Sequence, residues 1–198
     1  MRLDKFICKS TQLTRNDAMQ SIHDGAVHVN DEVVFNEAKQ VHENNEVKLS
    51  GEKLVPRESR YILIHKPADT ICSNIDEVYP SVFNHVDIEN VSELHIAGRL
   101  DADTTGLVLA TDDGRWSFNI TRPEMQCEKV YRVRLSRPIA ENVALQFSQG
   151  IQLQGEAKPT LPAKLEFINT HEVLLTIIEG RFHQVKRMFA AVGNRVVS

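Results

Sequence analysis

The 198-residue chain carries 23 Lys and Arg against 27 Asp and Glu, a formal net charge of -4, and 41% of its residues are hydrophobic. A chain of this size can bury a core in one or two domains, and no apolar run approaches the roughly 18 to 20 residues that span a bilayer, so we expect a soluble cytoplasmic protein. The 3 cysteines form no C-x-x-C pair and the 8 histidines no H-x-x-x-H pair, which predicts neither disulfides nor a metal site.

Residues 1–56 are predicted to form a small domain that begins with a helix. Leu3, Phe6 and Ile7 follow helical spacing and give this helix an apolar side. Basic residues at positions i, i+3 and i+7 share another side, which we call the cationic face: Arg2, Lys5 and Lys9. The pattern therefore predicts an amphipathic first helix.

A second helix and a short sheet are predicted within the same domain. Thr14 with Asp17 three residues later is typical of a helix N-cap, and Gly25 suits the end of that helix. Short strands follow at 27–29, 33–35 and 47–49, with a tight turn at Asn30-Asp31 between the first two.

Residues 57–60 are polar and lack apolar periodicity, so they are predicted to link this domain to a second one over residues 61–198. The second domain alternates strands with a few helices, with strands predicted at 61–64, 107–111, 129–135, 163–168 and 172–178 and helices at 115–121, 140–148 and 183–192. This order predicts an α+β domain with a largely antiparallel mixed sheet. Residues 195–198 fall within another predicted strand, so we expect the chain to be truncated at its C-terminus.

The run from His95 to Leu107, HIAGRLDADTTGL, places an aspartate beside an arginine in a loop flanked by glycines. The apolar run 107–111 predicts a buried strand that holds the loop from one end. Positive charge is concentrated in two segments, because 114–137 has six cations against two acids and 180–198 has four cations and no acid. Such local charge on a net acidic chain favours a protein that binds nucleic acid.

Three segments of the second domain resemble the active-site motifs of the pseudouridine synthases. They are GRLD at 98–101, KVYRV at 129–133 and EGRFHQVKRM at 179–188. The resemblance implies a long mixed sheet crossed by the active-site cleft. It also implies that Asp101 is the catalytic nucleophile, that Tyr131 stacks on the target uracil, and that Lys186 pairs with the aspartate and keeps it ionised.

Two arginines are candidates for RNA contacts near this site. Arg99 is predicted to hold a phosphate beside the flipped nucleotide and Arg181 to support the same backbone, because guanidinium forms bidentate bonds with phosphate. Residues 2–54 resemble the RNA-binding module first described in ribosomal protein S4. That resemblance implies that the cationic face of the first helix lies along RNA phosphates.

The resemblance implies a cofactor-free and metal-free isomerase that acts as a monomer. Its expected partner is 16S ribosomal RNA, either free or in a small-subunit assembly particle. Three alternatives stay open: a pseudouridine synthase of 23S ribosomal RNA, an inactive RNA-binding factor on the same fold, and a metal-dependent hydrolase that uses Asp101 and Asp103. Intact Asp101, Tyr131 and Lys186 argue against the second, and the absence of histidine or cysteine ligand spacing argues against the third.

Overall fold

The computed structural model describes all 198 residues, and their contacts divide the chain into two compact units, Met1–Ser59 and Arg60–Ser198. The predicted linker 57–60 is tied to the units at either end: the Arg57 backbone N–H donates to the Lys9 carbonyl at 2.9 Å, and the Arg60 backbone N–H donates to Asp112 at 3.1 Å. None of the helices has both the length and the apolar character needed to cross a membrane.

The first unit packs two helices on a four-stranded antiparallel sheet in the order β2-β1-β3-β4. Its elements are α1 (Leu3–Ser10), α2 (Arg15–His23), β1 (Val27–Val29), β2 (Glu32–Val33), β3 (Val47–Leu49) and β4 (Glu52–Lys53). Apolar side chains from both helices and from the sheet form its core, among them Leu3, Ile7, Ala18, Ile22, Val27 and Val47.

Local sequence signals predicted this unit well. The Thr14 side chain accepts a hydrogen bond from the Asp17 backbone N–H at 3.3 Å, and Gly25 has φ +75° just after α2, which confirms both helix ends. Asn30 and Asp31 both have positive φ, as a two-residue hairpin turn requires. The strand expected at 33–35 was too long, because β2 ends at Val33 and the chain then leaves the sheet.

The second unit contains two three-stranded sheets in the orders β5-β7-β6 and β8-β10-β9, with every strand pair antiparallel. Its elements are β5 (Tyr61–Lys66), β6 (His95–Ala97), β7 (Gly106–Thr111), α3 (Gly114–Thr121), β8 (Lys129–Arg134), α4 (Asn142–Gln149), β9 (Lys164–Asn169), β10 (Glu172–Ile177) and α5 (Gln184–Ala191). The α+β class is confirmed. The single long sheet that we expected is replaced by two separate sheets.

Each sheet of the second unit has its own apolar core. The first packs Ile64 and Val108 against Phe83, which lies in a short 3-10 turn between β5 and β6. The second is covered by α4 and α5, where Phe147 and Phe189 meet edge to face with ring centroids 5.3 Å apart. The two sheets of the unit therefore have separate apolar cores.

Candidate active site

The loop 98–105 joins β6 to β7 and carries the predicted nucleophile. Gly98 opens it with φ +86°, a conformation that favours glycine, and the Thr104 backbone N–H donates to the Asp101 carbonyl at 3.0 Å. The Asp101 side chain is 30% exposed. The carboxylate is thus reachable from solvent while its backbone is fixed at both ends by strands.

Lys66 holds this loop from inside the protein, a role that sequence analysis missed. Its side chain is fully buried, and its ammonium donates to the carbonyls of Pro67 at 3.0 Å, Ala102 at 3.0 Å and Thr104 at 2.8 Å. Burial lowers the pKa of Lys66, and the nearby acids oppose that shift. The signal was present in the sequence, because Ile62, Ile64 and Lys66 alternate along β5 and so share its inward face.

Two further groups brace the same loop. The Asp69 backbone N–H donates to the Ala102 carbonyl at 2.9 Å, and the Leu100 backbone N–H points at the Cys72 sulfur at 3.4 Å. Burial raises the pKa of the Cys72 thiol, so it stays a neutral packing group. The segment after β5 therefore holds backbone groups of the loop and makes no hydrogen bond to the Asp101 carboxylate.

Lys186 joins the second half of the unit to this loop. Its ammonium lies 3.0 Å from Asp101 Oδ2 and 2.6 Å from Asp103 Oδ1. Helix α5 buries Met188 and Phe189 fully against the sheet, and this turns Lys186 toward the loop 98–105. Burial alone would lower the pKa of Lys186, but its hydrogen bonds to the two carboxylates outweigh burial and raise that pKa. Lys186 is therefore a charged partner for Asp101.

Tyr131 lies on β8 with its ring turned inward, as the alternation of the strand predicted. Val133 and Leu135 on the same face are buried, and Tyr131 packs against their cluster, whereas Arg132 and Arg134 are exposed. Burial raises the pKa of Tyr131, and the negative charge of Asp101 raises it further. The phenol therefore keeps its proton at neutral pH and lies within the electric field of Asp101.

His183 is a second contact of the carboxylate that sequence analysis left without a role. Its Nε2 lies 3.6 Å from Asp101 Oδ1, whereas the Lys186 ammonium lies 3.0 Å from Oδ2 of the same carboxylate. The spacing could have indicated this, because residues three apart at the start of a helix share a face, and His183 precedes Lys186 by three.

The two predicted arginines differ in their surroundings. Arg99 is exposed on the loop two residues before Asp101. Arg181 instead donates to Glu179 at 3.1 Å and to the carbonyls of Lys158 at 2.8 Å and Pro159 at 2.7 Å. These bonds give Arg181 a structural task, and its contact with RNA stays a prediction.

The cationic face of α1 is smaller than predicted. Lys5 is exposed, and Arg2 donates through Nε and Nη2 to the buried carboxylate of Asp4 at 3.0 Å. Lys9 is only 8% exposed and its ammonium donates to Ser59 Oγ at 2.7 Å, so it offers little surface, and its contact with RNA stays a prediction. The spacing of the three residues did not reveal that the end of the unit covers Lys9.

Comparison with known families agrees with this geometry. A family described as RNA pseudouridylate synthase matches residues 60–191, and one described as S4 domain matches residues 1–47. The chain belongs to the RNA pseudouridylate synthase family, and it carries an S4 domain at its N-terminus. It is therefore an isomerase by class, as predicted from the three motifs.

Individual relatives are similar over the whole chain. The ribosomal small subunit pseudouridine synthase A of Haemophilus influenzae is 48% identical over 198 residues, covering 100% of this chain and 85% of the relative. The enzyme of the same name from Vibrio cholerae is 49% identical over 197 residues, again covering 100% and 85%, and that from Escherichia coli K12 is 48% identical, covering 100% and 86%. A solved pseudouridylate synthase is 47% identical with a TM-score of 0.69, covering 100% of this chain and 86% of that one.

Proposed function

We propose that the protein converts a uridine of small-subunit ribosomal RNA into pseudouridine, with Asp101 as the nucleophile. The observation that carries this proposal is the Asp101 carboxylate on a braced loop with the Lys186 ammonium 3.0 Å away. A nucleophilic carboxylate has to be held in place and aimed, and the adjacent cation and the fixed backbone of the loop do this for Asp101. The names of the relatives from Haemophilus influenzae, Vibrio cholerae and Escherichia coli support the small subunit as the source of the RNA.

The reaction is an isomerisation, so no atom is gained or lost overall. The bond from ribose C1′ to uracil N1 breaks, the base turns while it is held, and a new bond joins C1′ to C5. The proton on C5 is then removed and N1 gains one. Asp101 forms a covalent intermediate through one carboxylate oxygen, bonded either to the ribose or to the uracil ring, and this bond breaks again before the product leaves, so the carboxylate is regenerated. No cofactor is needed because neither oxidation nor group transfer to a second molecule takes place.

Lys186 and Tyr131 have different tasks in this scheme. Lys186 places a positive charge 3.0 Å from the Asp101 carboxylate, which orients that carboxylate and balances its charge beside the phosphates of the substrate. Tyr131 offers a flat, largely buried ring on which the flipped uracil can stack. Its raised pKa favours this stacking role over removal of the C5 proton, because a phenol that keeps its proton is a poor base.

The substrate is proposed to be 16S ribosomal RNA, either free or within an assembly particle, bound by a monomer in the cytoplasm. The S4 domain and the exposed Lys5 and Arg99 are suited to phosphate contacts outside the reacting nucleotide. The two carboxylates of the metal-hydrolase alternative are bridged by Lys186, whose ammonium occupies the position a cation would take between them. That arrangement favours the synthase over the hydrolase.

The chain offers a matched pair of variants, because Asp103 lies two residues from Asp101 and also pairs with Lys186. We expect Asp101→Asn to lower the rate of pseudouridine formation by about 10⁴-fold or more, since it removes the nucleophile. Asp103→Asn should change that rate by less than about tenfold, because a pair this exposed contributes only about 0.2–1 kcal/mol. Both variants should bind RNA like the unchanged protein, since neither change alters side-chain volume much.

The measurement is pseudouridine formed over time in a 16S ribosomal RNA transcript and in small-subunit particles, detected by carbodiimide-dependent primer extension. An equal loss of rate in both variants would show that the reaction needs the negative charge of this loop and not a nucleophile at Asp101. Mapping pseudouridine in cells that lack the protein separates the remaining alternatives. A missing 23S site would transfer the assignment to the large subunit, and no missing site in either RNA would favour an inactive RNA-binding factor.

A further inference from the structure

Phe182 is a large apolar side chain left in solvent beside the proposed nucleophile. It is 75% exposed, and its ring stacks on that of His183 with centroids 3.8 Å apart and planes 22° apart. His183 in turn approaches Asp101, with 3.6 Å between Nε2 and Oδ1. The edge of the His183 ring thus faces Asp101, and the Phe182 ring stacks on the His183 ring.

The backbone is bent to produce this stack. His183 has φ +48° and ψ +35°, the left-handed conformation that is uncommon for residues other than glycine. The rings of Phe182 and of this left-handed residue lie nearly parallel, although consecutive side chains ordinarily point in different directions. A residue is held in such a conformation only where its surroundings fix it, and such positions are concentrated at functional sites.

Hydrogen bonds on both sides fix the segment that carries Phe182. Arg187 donates from Nη1 to the Phe182 carbonyl at 3.0 Å and to Glu156 Oε1 at 2.9 Å. The Arg181 backbone N–H donates to Gln184 Oε1 at 2.9 Å, and the Arg181 guanidinium is bonded to the carbonyls of residues 158 and 159. The backbone that carries the stack is therefore held in place before any ligand binds, which lowers the entropy cost of using the stack as a contact surface.

We propose that Phe182, supported by His183, is an RNA-binding platform on which a nucleobase flanking the target uridine stacks. This inference rests on the proposed function and adds a second base-binding group to Tyr131, which is assigned to the target uracil. An uncharged ring with a free face accepts any base, because every nucleobase has a π face, and single-stranded RNA is commonly held in this way.

The chemistry around the platform favours RNA over an apolar protein partner. Arg195 is exposed and lines the same surface recess as His183, so it can attract an RNA phosphate to this side of the site. The other three cations of segment 180–198 are already paired with carboxylates: Arg181, Lys186 and Arg187. A flipped target nucleotide also leaves its neighbours unstacked on one face, and Phe182 offers them a replacement surface within one ring of Asp101.

The test uses four variants of the whole chain. Phe182→Ala and Phe182→Leu remove the aromatic face, with Leu keeping much of the apolar volume, and Phe182→Tyr restores the face. The control is Phe167→Ala, which removes another exposed phenyl ring, on β9 of the same unit. A 16S ribosomal RNA fragment containing the converted uridine is the ligand, and its dissociation constant is measured with Asp101→Asn in every protein so that no turnover occurs.

We expect Ala and Leu to weaken RNA binding by about 5- to 50-fold, the effect of losing one stacked base. Tyr and the Phe167 control should retain the affinity. In proteins with Asp101 intact, the same loss should appear in KM with kcat unchanged, because stacking holds the ground state and transition state alike. Phe182→Leu binding as tightly as the unchanged protein would overturn the platform.

Substituted RNAs identify the base. An abasic nucleotide at the stacked position should weaken binding to the unchanged protein but not to Phe182→Ala, and 2-aminopurine there should lose fluorescence only when an aromatic residue is present. If no flanking position shows this coupling, the platform is refuted even where activity is normal. If the unchanged protein converts no uridine, the proposed function fails, and the binding measurements still decide the role of Phe182.

Discussion

Replacement of Lys66 by Met tests whether the catalytic loop depends on a buried ammonium. Methionine has similar length and no charge, so Lys66→Met leaves the carbonyls of Pro67, Ala102 and Thr104 without this donor. Pro67 keeps the Thr70 hydroxyl at 2.9 Å as a donor and Ala102 keeps the Asp69 backbone N–H at 2.9 Å. The loss therefore falls mainly on the Thr104 carbonyl, at the end of the loop that leads into β7.

The magnitude follows from these contacts. One unsatisfied buried carbonyl costs about 1–3 kcal/mol, and each hydrogen bond from a charged donor contributes about 1.5–3 kcal/mol. The buried ammonium also pays a desolvation cost of several kcal/mol, which the substitution removes. The net loss of unfolding free energy should be about 2–4 kcal/mol. Because a shift of about 1 Å in a reacting group can lower the rate by about 10²-fold, kcat should fall by a similar factor.

Lys129 supplies a matched control away from the loop. Its ammonium also donates to three backbone carbonyls, those of Cys127 at 2.6 Å, Ile120 at 3.0 Å and Ile178 at 3.5 Å. Lys129→Met should therefore lower stability by a similar amount, with a smaller loss of kcat than Lys66→Met, because Lys129 does not contact the loop that carries Asp101. Urea denaturation gives the stability of both variants, and pseudouridine formation is measured where each is fully folded. A Lys66→Met protein with unchanged kcat, or equal losses of kcat in both variants, would refute the positioning role.

Two further predictions concern stability. Asp4 is fully buried and accepts hydrogen bonds from Arg2 and Arg15 at 3.0 Å, so Asp4→Asn should cost about 2–4 kcal/mol in thermal or urea unfolding. Burial would raise the pKa of Asp4, but those hydrogen bonds outweigh burial and lower that pKa. The contribution of Asp4 to the free energy of unfolding is therefore full above the ordinary carboxyl pKa of 3.8 and is lost as the pH falls through the lowered pKa. Acid unfolding that is unchanged in Asp4→Asn would contradict this. Gly150→Ala should lower the free energy of unfolding by about 3 kcal/mol or more in urea denaturation, because φ is +84° and the added Cβ would lie 2.3 Å from a backbone oxygen. The control is Gly155→Ala, which should lower it by about 1 kcal/mol, because φ is +79° but the space around the added Cβ is open.

The sequence predicted those features of the fold that depend on neighbouring residues. The Thr14 cap, the turn at Asn30-Asp31 and the inward face of Tyr131 depend on residues within a few positions, and the structure contains all three. The motifs also predicted that Asp101 and Lys186 form a pair, although 85 positions separate them in the sequence, and the structure contains this ion pair. That prediction came from family resemblance, since spacing alone carries no information about a contact between two sheets.

The fate of each cation could not be predicted because it depends on distant partners. Lys9 is covered by Ser59, fifty residues away, and Arg181 is held by carbonyls more than twenty residues before it. Lys66 lies beyond the strand predicted at 61–64 and was given no role, although its alternation with Ile62 and Ile64 indicated burial. Counting charges along the sequence therefore overstates the positive surface offered to RNA, since several of these cations neutralise or brace the fold.

The shared contact of Lys186 has a consequence for the proposed reaction. In the free enzyme its ammonium balances two carboxylates, Asp101 and Asp103. Once Asp101 bonds covalently to the nucleotide, its negative charge is lost, and a lysine with no other partner would be left as a partly buried, uncompensated cation. Asp103 prevents this, because its pKa is held low by the hydrogen bond from Lys186 and it stays ionised. The second carboxylate thus stabilises the intermediate through the lysine, while its own exposure lets water replace much of that effect when it is removed.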